Sequence, residues 1–206
     1  MSKNQQIDYR IITIGDSGVG KTSIIRRYVH SIFDEDSLST IGVSFSYKEV
    51  VLNDKVKVRL KLVDTAGQEK FKSLTKSYFK NTDVVLFVFA LDDKMSFNNI
   101  KEWIELFIQN NTGRKDVLKY LVGNKNDLQP EIEQNYIDDF ANENQLKYIS
   151  TSAKDNISIN ELFYEIAEKL YNANINKGDT KQKNITLKKG DNVQNKRRCV
   201  LCRQDL

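Results

Sequence analysis

Short apolar runs alternate along this chain with segments of helical periodicity, and the two patterns predict different elements. In "YRIITI", Ile11, Ile12 and Ile14 are β-branched and read as a buried strand, while Ile24, Ile25, Tyr28 and Val29 recur at the spacing of a helix. Between Val43 and Val63 apolar and polar residues alternate, most strictly in "VKVRLKLV", where Val56, Val58, Leu60 and Leu62 share one face. With "SFSYKEVV" ahead and Asn53-Asp54 between, this predicts an antiparallel hairpin. The runs "DVVLFVFAL" (Asp83 to Leu91) and "VLKYLVG" (Val117 to Gly123) suit strands covered on both faces, and "KYISTSA" supplies a sixth. Phe97, Ile100, Ile104, Phe107 and Ile108 form one helical stripe, and Ile159, Leu162, Phe163, Ile166 and Leu170 another, with Ser96 and Ser158 as N-caps.

Strands and helices in alternation imply an α/β fold: a six-stranded, mostly parallel sheet with one antiparallel edge strand, flanked by about five helices and joined by right-handed crossovers. A ligand then binds at the carboxyl ends of the strands. Trp103 lies beside a stripe and is assigned to packing, and His30 to the solvated surface.

Composition narrows the class. With 206 residues, 39% of them hydrophobic, and a single proline, the chain is long enough for one domain with a sizeable core. No run approaches the roughly 18 to 20 apolar residues of a membrane span. "MSKNQQID" has no apolar signal-peptide core, and Ser2 excludes N-myristoylation, so a cytoplasmic chain is expected. Charge divides it further. From Asn174 onward nine Lys or Arg face three Asp, a net of +6; with the whole chain at +4, residues 1–173 carry −2. The polar, aperiodic segment 174–206 is therefore expected to be a disordered basic tail, suited to an anionic membrane surface, behind a domain of residues 1–173. Both cysteines, Cys199 and Cys202, fall in its last eight residues, which excludes a disulfide framework or a metal core.

The chemistry lies in the loops after the strands. "GDSGVGKTS" follows the first strand and opens the first helix; Gly15, Gly20, Lys21 and Thr22 fit the phosphate-binding P-loop, with Ser17, Gly18, Val19 and Ser23 completing the cradle. Its backbone N–H groups and the positive end of the helix face the anion. After the hairpin comes "DTAGQE": Asp64 can reach a magnesium ion through water, and the bare N–H of Gly67 can approach a terminal phosphate. In "NKND", beginning with Asn124 and Lys125, Asp127 can accept from the N1–H and 2-amino group of guanine, a donor pair adenine lacks. In "TSAK", Ser152 precedes Ala153, whose N–H can donate to guanine O6, and Lys154 can pack along the base.

With these four loops in order, residues 8 to 173 resemble the Ras superfamily of small GTP-binding proteins. Within it, "TIGVSF" (Thr40 to Phe45), "AGQEKF" (Ala66 to Phe71) and "SLTKSYFKN" (Ser73 to Asn81) resemble the switch regions of the Rab family. The resemblance implies a P-loop GTPase with GTP and GDP as substrate and product and Mg²⁺ as cofactor. It assigns Thr22 and Thr40 to magnesium directly, Lys21 to the β- and γ-phosphates, Gln68 to the attacking water and Phe33 to stacking on guanine. Thr40 closes over magnesium only with GTP. Ile41, Phe45, Val63, Phe71 and Tyr78 form the effector face. Expected partners are an exchange factor, a GTPase-activating protein, effectors, a Rab escort protein and a GDP-dissociation inhibitor, with a monomer and no nucleic acid. Lipidation of Cys199 and Cys202 would hold the chain reversibly on the cytosolic face of an endomembrane or the plasma membrane, where it controls vesicle traffic.

No arginine precedes Lys70 in the P-loop or switches, so nothing supplies a finger in cis, and intrinsic hydrolysis is expected on the order of 10⁻⁴ to 10⁻³ s⁻¹ by analogy with Ras. Three positions depart from the Rab pattern: Val63 replaces a tryptophan, Ser37 an aromatic, and "CVLCRQDL" a terminus with cysteines at its end. A cytosolic GTPase without lipid, and a module that holds nucleotide without hydrolysing it, stay open as alternatives.

Overall fold

The computed structural model describes residues 8–35, 40, 42–53, 55–66, 77–114 and 116–190. Six strands form one sheet: β1 (Asp8–Ile14), β2 (Val43–Leu52), β3 (Val56–Thr65), β4 (Val84–Ala90), β5 (Leu118–Asn124) and β6 (Lys147–Ser150), in the order β2-β3-β1-β4-β5-β6. Only β2 and β3 pair antiparallel; every other neighbour is parallel. Among the described residues five helices are present: α1 (Lys21–His30), α2 (Lys94–Asn98), α3 (Ile100–Asn110), α4 (Gln134–Glu143) and α5 (Ile159–Gly190). The expected six-stranded α/β architecture is therefore present, antiparallel edge included.

Every residue of β4 is buried, the outcome that a continuous apolar run covered by helices on both faces requires. Phe107 meets Phe79 and Phe87 edge to face, with centroids at 5.2 and 6.0 Å, and Tyr28 of α1 stacks on Phe163 of α5 at 4.0 Å. The hairpin turns at Asn53, whose positive φ of 48° suits an asparagine.

Several local expectations change. The stripe from Phe97 to Ile108 belongs to two helices, α2 and α3, separated at Asn99, and Ile108 is exposed while Trp103 is buried in its place. Ser96 is not a cap. Asp93 takes that position, its carboxylate accepting from the Met95 and Ser96 N–H groups, and the Ser96 hydroxyl turns inward to β4. Ser158 does precede α5, and its carbonyl accepts from the Leu162 N–H. Helix α4 has only two buried residues, Ile137 and Ala141, too few to stand out as a stripe.

The chain separates into a unit Met1–Leu170 and a unit Tyr171–Leu206. Backbone helix continues to Gly190, where the sequence reading expects disorder from 174. An existing helix needs no new nucleus to propagate, and lysine and glutamine are good helix formers. Residues 191–206, with Cys199 and Cys202, lie outside the described residues.

Candidate functional site

The loop between β1 and α1 is shaped by what surrounds it. A Cβ at Gly15 would strike the Val88 carbonyl oxygen, and one at Gly20, which caps α1 at φ 93°, would strike the side-chain amide of Asn124. Only glycine lets the loop lie this close to β4 and β5. Lys21, buried at the start of α1, folds back so that its Nζ donates to the Gly15 and Asp16 carbonyls at 2.9 and 2.5 Å. Burial lowers its pKa to about 8, opposed by the Asp64 and Asp16 carboxylates.

Beside it, the three residues assigned to magnesium meet. The Thr22 hydroxyl donates to Asp64 Oδ2 at 2.7 Å and lies 2.6 Å from the Thr40 hydroxyl. Burial pushes the Asp64 carboxyl up, opposed by the bond from Thr22 and the charge of Lys21. Its second oxygen, Oδ1, is buried with no hydrogen-bond partner among the described residues. Two hydroxyls and an unpaired carboxylate oxygen are hard donors that fit Mg²⁺, which keeps waters and phosphate oxygens as its other ligands. No group of three or more His, Cys, Asp or Glu suited to a metal exists among the described residues.

The other end of the site is already linked. Asn124, buried at the end of β5, donates to the Val19 carbonyl at 2.9 Å and accepts from Thr151 and from the Ala153 N–H at 3.2 Å. One side chain thus ties the P-loop to the loop after β6. Ser152 donates to Asp127 Oδ1 at 2.6 Å, and the Asp155 N–H donates to Ser152 in turn. Lys125, in the left-handed region at φ 65°, reaches Asp92, and Lys154 pairs with Glu35 at 2.6 Å.

These two ends border one cavity of about 420 Å³, lined by Gly18, Lys21, Thr22, Phe33, Thr40, Asp127 and Lys154, with Ser17, Gly20, Ser23, Asn124, Lys125 and Ala153. Gly15, Val19, Asp64 and Ser152 lie behind that lining and support it. Ile41, Gly67, Gln68 and Phe71, and with them Ser37, fall outside the described residues.

Four lining residues escape the sequence reading: Asp34, Glu35, Thr65 and Leu128. Leu128 directly follows Asp127, so adjacency to an expected site residue is the signal that could have found it. Asp16 was also missed. Its carboxylate accepts from Asn99 Nδ2 and from Trp103 Nε1, both at 2.7 Å, so Trp103 both packs and steadies the loop.

On the face of β2 and β3, Phe45 is exposed and lies 5.6 Å from Tyr78, with Lys61 over Phe45 at 4.8 Å and Arg10 over Tyr78 at 5.8 Å. Val63, expected on this face, is fully buried opposite Phe45. A valine is too short to rise beside that ring, so it offers a partner no surface.

A sequence model of the family described as "Ras family" matches residues 10–172. Ras-related protein Rab-11B of Dictyostelium discoideum is 39% identical over 173 residues, spanning 82% of this chain and 77% of its own. GTP-binding protein YPT1 of Saccharomyces cerevisiae is 35% identical over 90% of this chain and 94% of its own, and Ras-related protein SEC4 of the same yeast 33% over 92% and 90%.

Proposed function

This chain belongs to the Ras family and is a Rab-type GTPase of vesicle trafficking that binds GTP and hydrolyses it to GDP, and from that premise we propose how its cavity divides the work. One observation carries the proposal: residues suited to phosphate and magnesium, and residues suited to guanine, line a single cavity. At the base end, Asp127 accepts from the guanine N1–H and 2-amino group, Ala153 faces O6, and Phe33 and Lys154 enclose the ring.

At the phosphate end, the N–H groups of the loop from Gly15 to Gly20 and the Lys21 ammonium hold the β- and γ-phosphates. Thr22, Thr40 and Asp64 would hold Mg²⁺. When bound, that ion neutralises charge developing on the phosphates. Gln68 orients the attacking water, and Gly67 reports the γ-phosphate to the second switch. Thr40, whose hydroxyl already touches that of Thr22, is the first switch's handle on the same site.

Slow intrinsic hydrolysis makes the chain a timer served by an exchange factor and an activating protein, with an escort protein and a GDP-dissociation inhibitor handling a lipidated form. No helix among the described residues is long and apolar enough to cross a membrane, and we assign attachment on the cytosolic face to lipid on Cys199 or Cys202 beside the basic Lys196, Arg197 and Arg198. Competition of GTP against ATP on the Mg²⁺-loaded protein tests the base assignment. Strong preference for GTP is expected, and equal affinity overturns it.

A further inference from the structure

Arg27, in the last turn of α1, is not among the expected site residues, yet each of its three guanidinium nitrogens donates a hydrogen bond to a backbone carbonyl. Nε donates to the Ala153 carbonyl at 2.7 Å, Nη2 to the Lys154 carbonyl at 2.9 Å and Nη1 to the Ser31 carbonyl at 3.0 Å. Two of these carbonyls belong to the base loop, 126 and 127 residues away in sequence; the third belongs to the root of the first switch. The guanidinium carbon also lies 5.8 Å from the centre of the Phe33 ring.

Ser31 is held from both sides. Its N–H donates to the Arg27 carbonyl at 2.9 Å while its own carbonyl accepts from Arg27 Nη1, and it sits in the left-handed region at φ 59°, a conformation that a residue with a Cβ adopts uncommonly. That turn launches the segment carrying Phe33 and Glu35 over the cavity, where Glu35 pairs with Lys154 at 2.6 Å. The same two loops are thus joined twice, once beneath by Arg27 and once at the rim by an ion pair.

We propose that Arg27 is a positioning residue that braces the base loop against the root of the first switch and thereby sets how long guanine nucleotide stays bound. The inference rests on the nucleotide reading of the cavity. A planar fork reaching three carbonyls fixes the peptide planes around Ala153 and Lys154, which aim the groups that face the base, together with the turn that places Phe33. Release of the base requires these two walls to part, so the brace acts on dissociation. Hydrolysis is carried out at the other end of the cavity and is left alone. Lysine cannot replace it, because a single nitrogen on a flexible stem lacks the fixed fork that reaches the three carbonyls from three separate nitrogens.

The test compares wild type, Arg27→Lys and Arg27→Ala by two measurements: release of a fluorescent GDP into excess GDP, and single-turnover hydrolysis of prebound GTP. Release is expected to be about 10- to 100-fold faster in Arg27→Ala and intermediate in Arg27→Lys, with the hydrolysis rate unchanged in both. Release at the wild-type rate in Arg27→Lys overturns the brace, as does a loss of hydrolysis in proportion to the gain in release, which would mark general loosening. Should Arg27→Ala fail to fold, Arg27→Lys, which keeps the charge and the stem, decides alone. A wild type that does not retain GDP refutes the reading of the cavity and leaves no brace to test, whereas a wild type that retains it beside variants that release it normally refutes only Arg27.

Discussion

At the phosphate end of the cavity, Thr22, Thr40 and Asp64 crowd within hydrogen-bond distance and still leave a buried carboxylate oxygen without a partner among the described residues; at the base end, Asp127 accepts from the Ser152 hydroxyl and Asn124 from the Ala153 N–H. The difference teaches what each end can contribute. An orphaned buried oxygen costs free energy that a bound cation recovers, so the phosphate end is completed by its ligand and supplies affinity. A carboxylate has about four lone-pair sites, so the single bond from Ser152 orients Asp127 without filling it. The base end is aimed in advance and supplies selectivity.

The largest effect should come from breaking that division at the base end. Asp127→Asn turns an acceptor of two guanine donors into a group that can donate to the 2-oxo group of xanthine. We expect the preference between guanine and xanthine nucleotides to shift by about 10³-fold or more, read by competition binding. A variant that still prefers GTP would mean that Asp127 does not read the base. At the phosphate end, Thr22→Asn removes the hydroxyl that joins Asp64 to Thr40. Affinity for GTP with Mg²⁺ should fall by about 10- to 100-fold, more than affinity for GDP, with the choice between guanine and adenine unchanged. A change in base preference there would dissolve the comparison.

The two ends were not equally legible in the sequence. The P-loop is contiguous: Gly15, Gly20, Lys21 and Thr22 announce strand, turn and helix within a few residues. "NKND" could be read because it follows β5, a strand with a plain apolar run, and "TSAK" because it comes last in the expected order of loops. The supports could not be read. Arg27 meets the Ala153 and Lys154 carbonyls, and Asp16 meets Asn99 and Trp103, across 83 to 127 residues, and no local pattern encodes contacts made only when the sheet and helices assemble. The depth of Val63 has another cause: alternation along a hairpin shows which residues share a face but not how far each side chain rises from it, and this valine is buried opposite the exposed Phe45. The extension of α5 beyond 173 carries no apolar stripe to mark it, because a helix that continues past its packed face needs none.

Chemistry should separate from both ends. Gln68→Leu removes the group assigned to the attacking water while leaving phosphate, magnesium and base contacts intact. Hydrolysis should slow roughly 10- to 100-fold in a single-turnover assay, with nucleotide affinity unchanged. Hydrolysis at the wild-type rate, with and without an activating protein, would remove Gln68 from the mechanism.

The smallest effect sharpens the claim that the base end is fixed before any ligand arrives. Its loop leaves β6, and β6 is fastened to α5 through Glu165, which accepts from Lys147 at 2.5 Å, from Lys169 at 2.8 Å and from the Tyr120 hydroxyl at 2.9 Å. Partial burial raises the Glu165 pKa, but these three donors outweigh it and hold the carboxyl at about 2, against an ordinary 4.5. A carboxyl lowered on folding adds stability that is complete above about pH 4.5 and is lost as pH falls from there towards 2. Water still reaches the cluster and screens it, so the contribution is about 1 kcal/mol or less. Glu165→Gln should therefore lower the melting temperature by a few degrees at pH 7, and the difference from wild type should shrink as pH falls through that window. GDP release should not change, since Arg27 and Asn124 hold the base loop independently. A variant as stable as wild type at pH 7, or one that releases GDP faster, would show that the platform under the loop is organised differently.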